Sequence, residues 1–317
     1  MAPLMTLCTV LAAAGLLATQ QVDAARPAPV VDETKARSLY VTVRDDDALV
    51  TGLSERNFEV RVAGEPREFV LRDPEPAQIA ILVEYSPTSL AYMEDIFSAM
   101  SGVVGNASAG HWYALAVYSD ELIIVQDFTK RLGLIAQAFT GLPRPRRDSF
   151  MDSLRTFDAV YEMVQTMSSM AGRQVLIVIG SGFDSLSRRT TKDILESLEP
   201  SGVTVFGLGT LPWARESFIT TDLALATSRA RRLFTRLADR SGGFARFPLG
   251  SDEYYGEGRN IFAALDAQYE LVYVPRSAPH GESEDVEVLA FHETDLQVKH
   301  FSVVTRVARS PRTESES

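Results

Sequence analysis

The chain has 317 residues, 45% of them hydrophobic and 23% charged, a balance that fits a folded globular protein and excludes disorder, collagen or a coiled coil as its main theme. Its 42 acidic against 31 basic side chains give a formal charge of −11, which argues against a nucleic-acid partner because such a surface repels phosphate backbones. The one cysteine, Cys8, cannot form an internal disulfide, and the 4 histidines lack the spacing of zinc ligands, so any metal would be a hard ion held by oxygen.

Residues 1–22 carry no charged side chain, Leu7 to Ala18 form an apolar core, and Val22-Asp23-Ala24 supplies the small residues of a cleavage site before Ala25. A signal peptide over 1–24 is expected, and with it an exported chain: periplasmic, cell-surface or secreted. A membrane enters only if the leader stays uncleaved, since its uncharged stretch approaches the roughly 20 residues of a spanning helix. The Pro- and Ala-rich segment to residue 36 reads as a linker.

Over 37–73, Leu39 to Val43, Phe58 to Val62 and Phe69 to Leu71 show strand patterning, with turns at Gly52 and Ala63-Gly64-Glu65-Pro66. Asp73-Pro74-Glu75-Pro76 ends this β segment. From 77 to 268 the character changes. Ile79 to Val83, Val175 to Ile179 and Val203 to Leu208 are continuous apolar runs of the kind that strands buried on both faces require. Tyr113 to Tyr118 and Leu122 to Gln126 read as a hairpin adding an antiparallel edge. Helices are expected at Ser89 to Met100, Lys130 to Phe139, Met151 to Met170, Thr191 to Leu198 and Arg229 to Arg240. The fold class is therefore α/β, a doubly wound, mostly parallel Rossmann-like sheet. Alternation returns over 269–307, and a polar tail over 308–317 is expected to be disordered. Neither flanking set has strands enough to be stable alone, so the two are expected to join in one small antiparallel β module with Phe58 and Tyr273 inside.

Ligands of open α/β sheets bind outside the carboxyl ends of the strands. Those ends lead here into Glu84-Tyr85-Ser86-Pro87-Thr88 and Gly180-Ser181-Gly182-Phe183-Asp184, with the loop Arg144-Pro145-Arg146-Arg147-Asp148-Ser149 between them. On these segments the chain resembles a von Willebrand factor A (VWA) domain, whose first strand ends in D-x-S-x-S and whose later Thr and Asp loops complete a divalent-ion site. It is most similar to the VWFA-related Acidobacterial domain family. That likeness rests on Val41-Thr42-Val43-Arg44-Asp45, Val50-Thr51-Gly52-Leu53, Asn57-Phe58-Glu59-Val60 and Gln268-Tyr269-Glu270-Leu271-Val272-Tyr273-Val274-Pro275, in that order.

The resemblance implies a degenerate metal-ion-dependent adhesion site. Glu84 stands where the first Asp is expected, Ser86 and Thr88 match the two serines, Asp148 falls at the Thr position and Ser181 at the last Asp. Magnesium or another divalent cation would be held by these five residues, yet Glu reaches one methylene farther than Asp and magnesium demands near-ideal octahedral distances. A face without metal is preferred, with Glu84 and Asp148 compensated by Arg144, Arg146 or Arg147, or left in an open crevice. Read as ordinary structure, Ser86-Pro87 is a helix start with a hydroxyl cap, Gly180-Ser181-Gly182 is a tight turn and the arginines are a solvated loop.

The resemblance thus implies a binding module with no cofactor and no catalysis, its partner a protein or a cell-envelope component. A structural scaffold that has lost ligation is the alternative. A nucleotide-using enzyme is disfavoured because no G-x-G-x-x-G follows the first strand, and a hydrolase because Val178 to Gly182 is not a G-x-S-x-G elbow.

Overall fold

The computed structural model describes residues 36–46, 48–145, 154–210, 221–275, 286–293 and 298–307. Two sheets organise them. The first is built from β6 (Gln78–Glu84), β7 (Trp112–Tyr118), β8 (Leu122–Thr129), β9 (Gln174–Gly180), β10 (Thr204–Gly209) and β11 (Ala245–Arg246), in the order β11-β10-β9-β6-β7-β8. All neighbours are parallel except β8, which returns antiparallel to β7 and forms one edge.

The continuous apolar runs are explained by what lies on the two faces of this sheet. Alternate residues of β6 serve different cores. Ile79, Ile81 and Val83 pack with Ile96 and Met100 of α1 (Met93–Gly105), Ile135 and Phe139 of α2 (Leu132–Thr140), and Ile261 and Leu265 of α6 (Glu253–Asp266). Ala80 and Leu82 pack with Val160 and Met163 of α3 (Thr156–Ser168), Ile194 and Leu198 of α4 (Thr191–Leu198), and Phe234 and Leu237 of α5 (Thr221–Ser241). Each large aliphatic side chain so buried stabilises the fold by about 1.5–3 kcal/mol before the entropy of ordering it is counted.

Three helices depart from their expected bounds and a fourth is unexpected; α5 begins at Thr221 rather than Arg229. Residues 88–92 form a 3₁₀ turn, so α1 begins at Met93 rather than Ser89, and α3 begins at Thr156 rather than Met151. The helix over Glu253–Asp266 has no counterpart in the hydrophobic patterning, because its Gly256 and Gly258 argue locally against a helix. Packing overrides that preference. A Cβ on Gly258 would lie 2.2 Å from the carbonyl oxygen of Gly102, so α1 and α6 cross at a point that only two glycines permit.

The second sheet runs β4 (Glu65–Arg67), β3 (Phe58–Val62), β13 (Val286–Glu293), β14 (Val298–Val307), β1 (Arg37–Asp45), β12 (Tyr269–Tyr273), β5 (Phe69–Arg72), with β2 (Ala48–Leu49) beside β1. Every pairing is antiparallel, and strands from the two ends of the chain interleave: β1 lies between β12 and β14. Leu39, Val41, Phe58, Val60, Leu271 and Tyr273 form its core, and Phe58 and Tyr273 are both buried.

Arg173 joins the two units. This residue precedes β9 and is 3% exposed; its Nη2 donates to the Leu265 carbonyl at 2.7 Å and to Gln268 Oε1 at 2.5 Å. Gln268 in turn donates through Nε2 to Thr42 Oγ1 of β1 at 3.3 Å, and the guanidinium lies 5.5 Å from the Tyr40 ring. Burial lowers the Arg173 pKa to about 10, which leaves the group cationic at neutral pH.

Candidate functional site: a sealed crevice at the carboxyl ends of the strands

Parallel pairing sets which residues can meet. β6 ends at Glu84, opposite Tyr118 at the end of β7, and Gly180 ends β9 one step before Ser181. Thr210 follows β10 and its N–H donates to the Gly180 carbonyl at 2.9 Å. Glu84, Ser86, Ser181 and Thr210 have no exposed surface at all.

Glu84 is the centre of the arrangement. Its Oε2 accepts from the Ser181 N–H and from the Ser181 hydroxyl, both at 2.7 Å, while its Oε1 accepts from the Tyr92 hydroxyl in the 3₁₀ turn. Both oxygens are thus engaged by neutral donors. Burial pushes the Glu84 pKa up from the ordinary carboxylate value, and the hydrogen bonds from Tyr92, Ser181 and Ser86 pull it only part of the way back. Tyr92 is raised well above the usual phenol value, first by burial and then by the charge of Glu84.

The space around the carboxyl is filled. A Cβ placed on Gly180 would lie 2.7 Å from Glu84 Cβ and 2.9 Å from both Glu84 Oε2 and the Tyr118 hydroxyl. Glycine is needed there because the glutamate occupies the room. Thr210 Oγ1 is buried with no hydrogen-bond partner among the described residues, and the Tyr118 hydroxyl is buried beside the Glu84 carboxyl, with Thr156 as its neighbour.

Of the five residues expected to ligate a metal, the fold brings Glu84, Ser86 and Ser181 together. Thr88 is half-buried in the 3₁₀ turn, and Asp148 lies outside the described residues. Ser86 serves as the turn cap that Ser86-Pro87 suggests: its Oγ accepts from the Ser89 N–H at 3.1 Å, and Ser89 Oγ returns a bond to the Ser86 carbonyl at 2.7 Å. The Ser181 hydroxyl gives its proton to Glu84 and accepts from the Phe183 N–H at 3.1 Å. A divalent ion would need these same lone pairs, and no group of three His, Cys, Asp or Glu side chains suited to one is found among the described residues. The described residues do not fit a divalent ion. The extra methylene of Glu84 carries its carboxyl across to the loop after β9, where Ser181 meets it with two donors.

Asp184, a turn residue, is bound into the loop by the Phe157 and Ser187 N–H groups and the Ser187 hydroxyl. Arg144 is exposed, and its charge opposes the burial-driven rise of the Tyr85 hydroxyl; Arg146 and Arg147 lie outside the described residues. Sequence reasoning missed Tyr92 and Tyr118. Tyr118 carried a usable signal, because the last residue of a strand paired with β6 must stand level with Glu84.

No protein-family model matches the chain, and no curated protein matches it in sequence. Solved structures do resemble it. An aerotolerance-related membrane protein from Bacteroides fragilis is 12% identical, with a TM-score of 0.47 over 60% of this chain and 98% of that one. A von Willebrand factor type A protein from Catenulispora acidiphila is 9% identical, with a TM-score of 0.44 over 86% and 74%. The ArnB paralog VWA2 from Sulfolobus acidocaldarius is 9% identical, with a TM-score of 0.39 over 87% and 76%. The α/β unit is a six-stranded, mostly parallel sheet with helices on both faces, the architecture that the resemblance implies. In this unit the Glu84 carboxyl is hydrogen-bonded by three hydroxyl-bearing side chains, Ser86, Tyr92 and Ser181.

Proposed function

We propose that the chain is an exported binding module whose VWA-like unit presents the carboxyl-end face to a protein or cell-envelope partner, without a resident metal and without a reaction of its own. The observation that carries this reading is the closure of Glu84 by Tyr92 and Ser181. A general acid, base or nucleophile must reach substrate, and a ligating carboxylate must reach its ion. Glu84 has no exposed surface and both its oxygens are engaged, so recognition falls to exposed side chains, of which Arg144 is the candidate among the described residues.

The test is capture from the envelope fraction of the native host with the purified protein, in the presence of magnesium or of EDTA. A partner retained equally in both, and lost when Arg144, Arg146 and Arg147 are replaced together by Glu, supports the reading. A partner released by EDTA would return the face to a metal-dependent account. Mass spectrometry of the same protein should find a mature chain starting near Ala25; an intact Met1 in a soluble fraction contradicts export through a cleaved leader.

A further inference from the structure

The ends of the two sheets are not alike. β11 has two residues, β4 has three and contains Pro66, and β5 has four and ends on Arg72. Such short, charged or Pro-bearing strands are how proteins keep an edge from pairing with another chain. β8 differs in length and exposed apolar surface: it has eight residues, forms the outer strand of the six-stranded sheet, and exposes Ile123 at 55% and Ile124 at 49%.

The residues that bracket β8 say what fits this edge. Asp120 and Glu121 precede the strand and Lys130 and Arg131 follow it, all four exposed. No ion pair involving them is found among the described residues; Asp120 accepts from the Ser119 hydroxyl at 2.8 Å, and the Lys130 ammonium lies 5.0 Å from the Trp112 ring centre. A strand with two acids before it and two bases after it is complementary to itself when turned around. With a two-fold axis between Val125 and Gln126, antiparallel pairing sets Glu121 opposite Lys130 and Asp120 opposite Arg131 at both ends of the junction. Between them Leu122 faces Thr129, and Ile123 faces Phe128.

We infer that the chain forms a two-fold dimer through β8, which would join two six-stranded sheets into one. A parallel arrangement would stack acid on acid and base on base, which is destabilising across a ladder. The symmetric, self-complementary patch is what a closed two-fold interface requires. β8 has register irregularities against β7 beyond Ile124, and the two-fold axis repeats them on both sides, so the charged end pairs are kept. The inference does not depend on the crevice or on its partner.

Sedimentation equilibrium of the purified full chain at low ionic strength tests it. The chain should show a concentration-dependent dimer that weakens as salt screens the end pairs. Glu121→Lys and Lys130→Glu each place like charges opposite one another at both ends, and each should raise the Kd about tenfold. The double variant E121K/K130E restores opposite charges and should return the Kd to within about threefold of the starting value. Circular dichroism of the variants should be unchanged, as these side chains lie outside the cores. A chain monomeric at all concentrations, a dimer indifferent to the single reversals, or single reversals that the double variant does not repair would each overturn the inference.

Discussion

One strand, β9, runs between two buried charges, and the protein treats them in opposite ways. Arg173 enters β9 from the side of the β module, and Ser181 leaves it bound to Glu84. Both charged groups hydrogen-bond to neutral partners: Arg173 to a carbonyl and an amide oxygen, Glu84 to hydroxyls and an N–H. Burial works against the charged form in each case. Arg173 begins so far above neutrality that a pKa of about 10 leaves it cationic, whereas Glu84 begins at 4.5 and is moved toward its neutral form. A buried guanidinium can therefore serve as a permanent fastener between two units, whereas a buried carboxyl with neutral donors becomes sensitive to pH.

The largest break in this comparison should come from Arg173→Met. The change leaves the Leu265 carbonyl and Gln268 Oε1 buried without their donor, and each unmet acceptor costs about 1–3 kcal/mol, so urea unfolding should show a loss of about 3 kcal/mol or more. A loss below about 1 kcal/mol would mean that Arg173 does not fasten the two units. Next comes Gly180→Ala, whose Cβ would meet Glu84 and Tyr118 inside contact distance; overpacking of this kind costs about 1–3 kcal/mol. Part of that penalty should vanish in the Glu84→Gly background, which removes both the Cβ and the carboxyl that the new methyl would meet and leaves only the contact with the Tyr118 hydroxyl. Additive penalties in the double variant would show that the two residues do not compete for the space.

The smallest effect is a matter of pH. A carboxyl whose folded pKa is raised above its unfolded value contributes stability that is fully present below pH 4.5 and is lost as pH rises through the folded pKa. The protein should therefore lose stability relative to its Glu84→Gln variant as pH rises from 4.5 toward neutrality. Urea midpoints of the two proteins that stay parallel across that range would show that Glu84 does not titrate differently on folding.

Much of this was legible in the amino-acid sequence, for reasons that can be located. Ile79 to Val83 and Val175 to Ile179 are apolar without alternation because helices cover both faces of their sheet, and that pattern is local. The chain positions of Glu84, Ser86 and Ser181 followed from strand ends, since a parallel sheet lines up its carboxyl termini. The helix over Glu253–Asp266 escaped because its glycines are explained only by a neighbour, Gly102, far away in the chain. Tyr92 escaped because a tyrosine after a turn does not show which acceptor its hydroxyl will find. Arg173 escaped for a related reason: a charged residue ahead of a buried strand reads as solvated until Gln268 and Thr42 are placed beside it.

The position of β1 in its sheet also bears on how the molecule comes into being. Leu39 pairs with Leu271 on one side and Val307 on the other, so β1 gains its β14 neighbour only after every element from β2 to β13 has been made. Contacts so distant in sequence pay their loop-closure entropy late, and they slow folding relative to the helices and parallel strands that form from nearer segments. Until then Leu39, Val41 and Val43 are a short apolar strand without a ladder, the kind of segment that aggregates or is held by a chaperone. Truncation of β14 should therefore harm β1, its partner in the ladder.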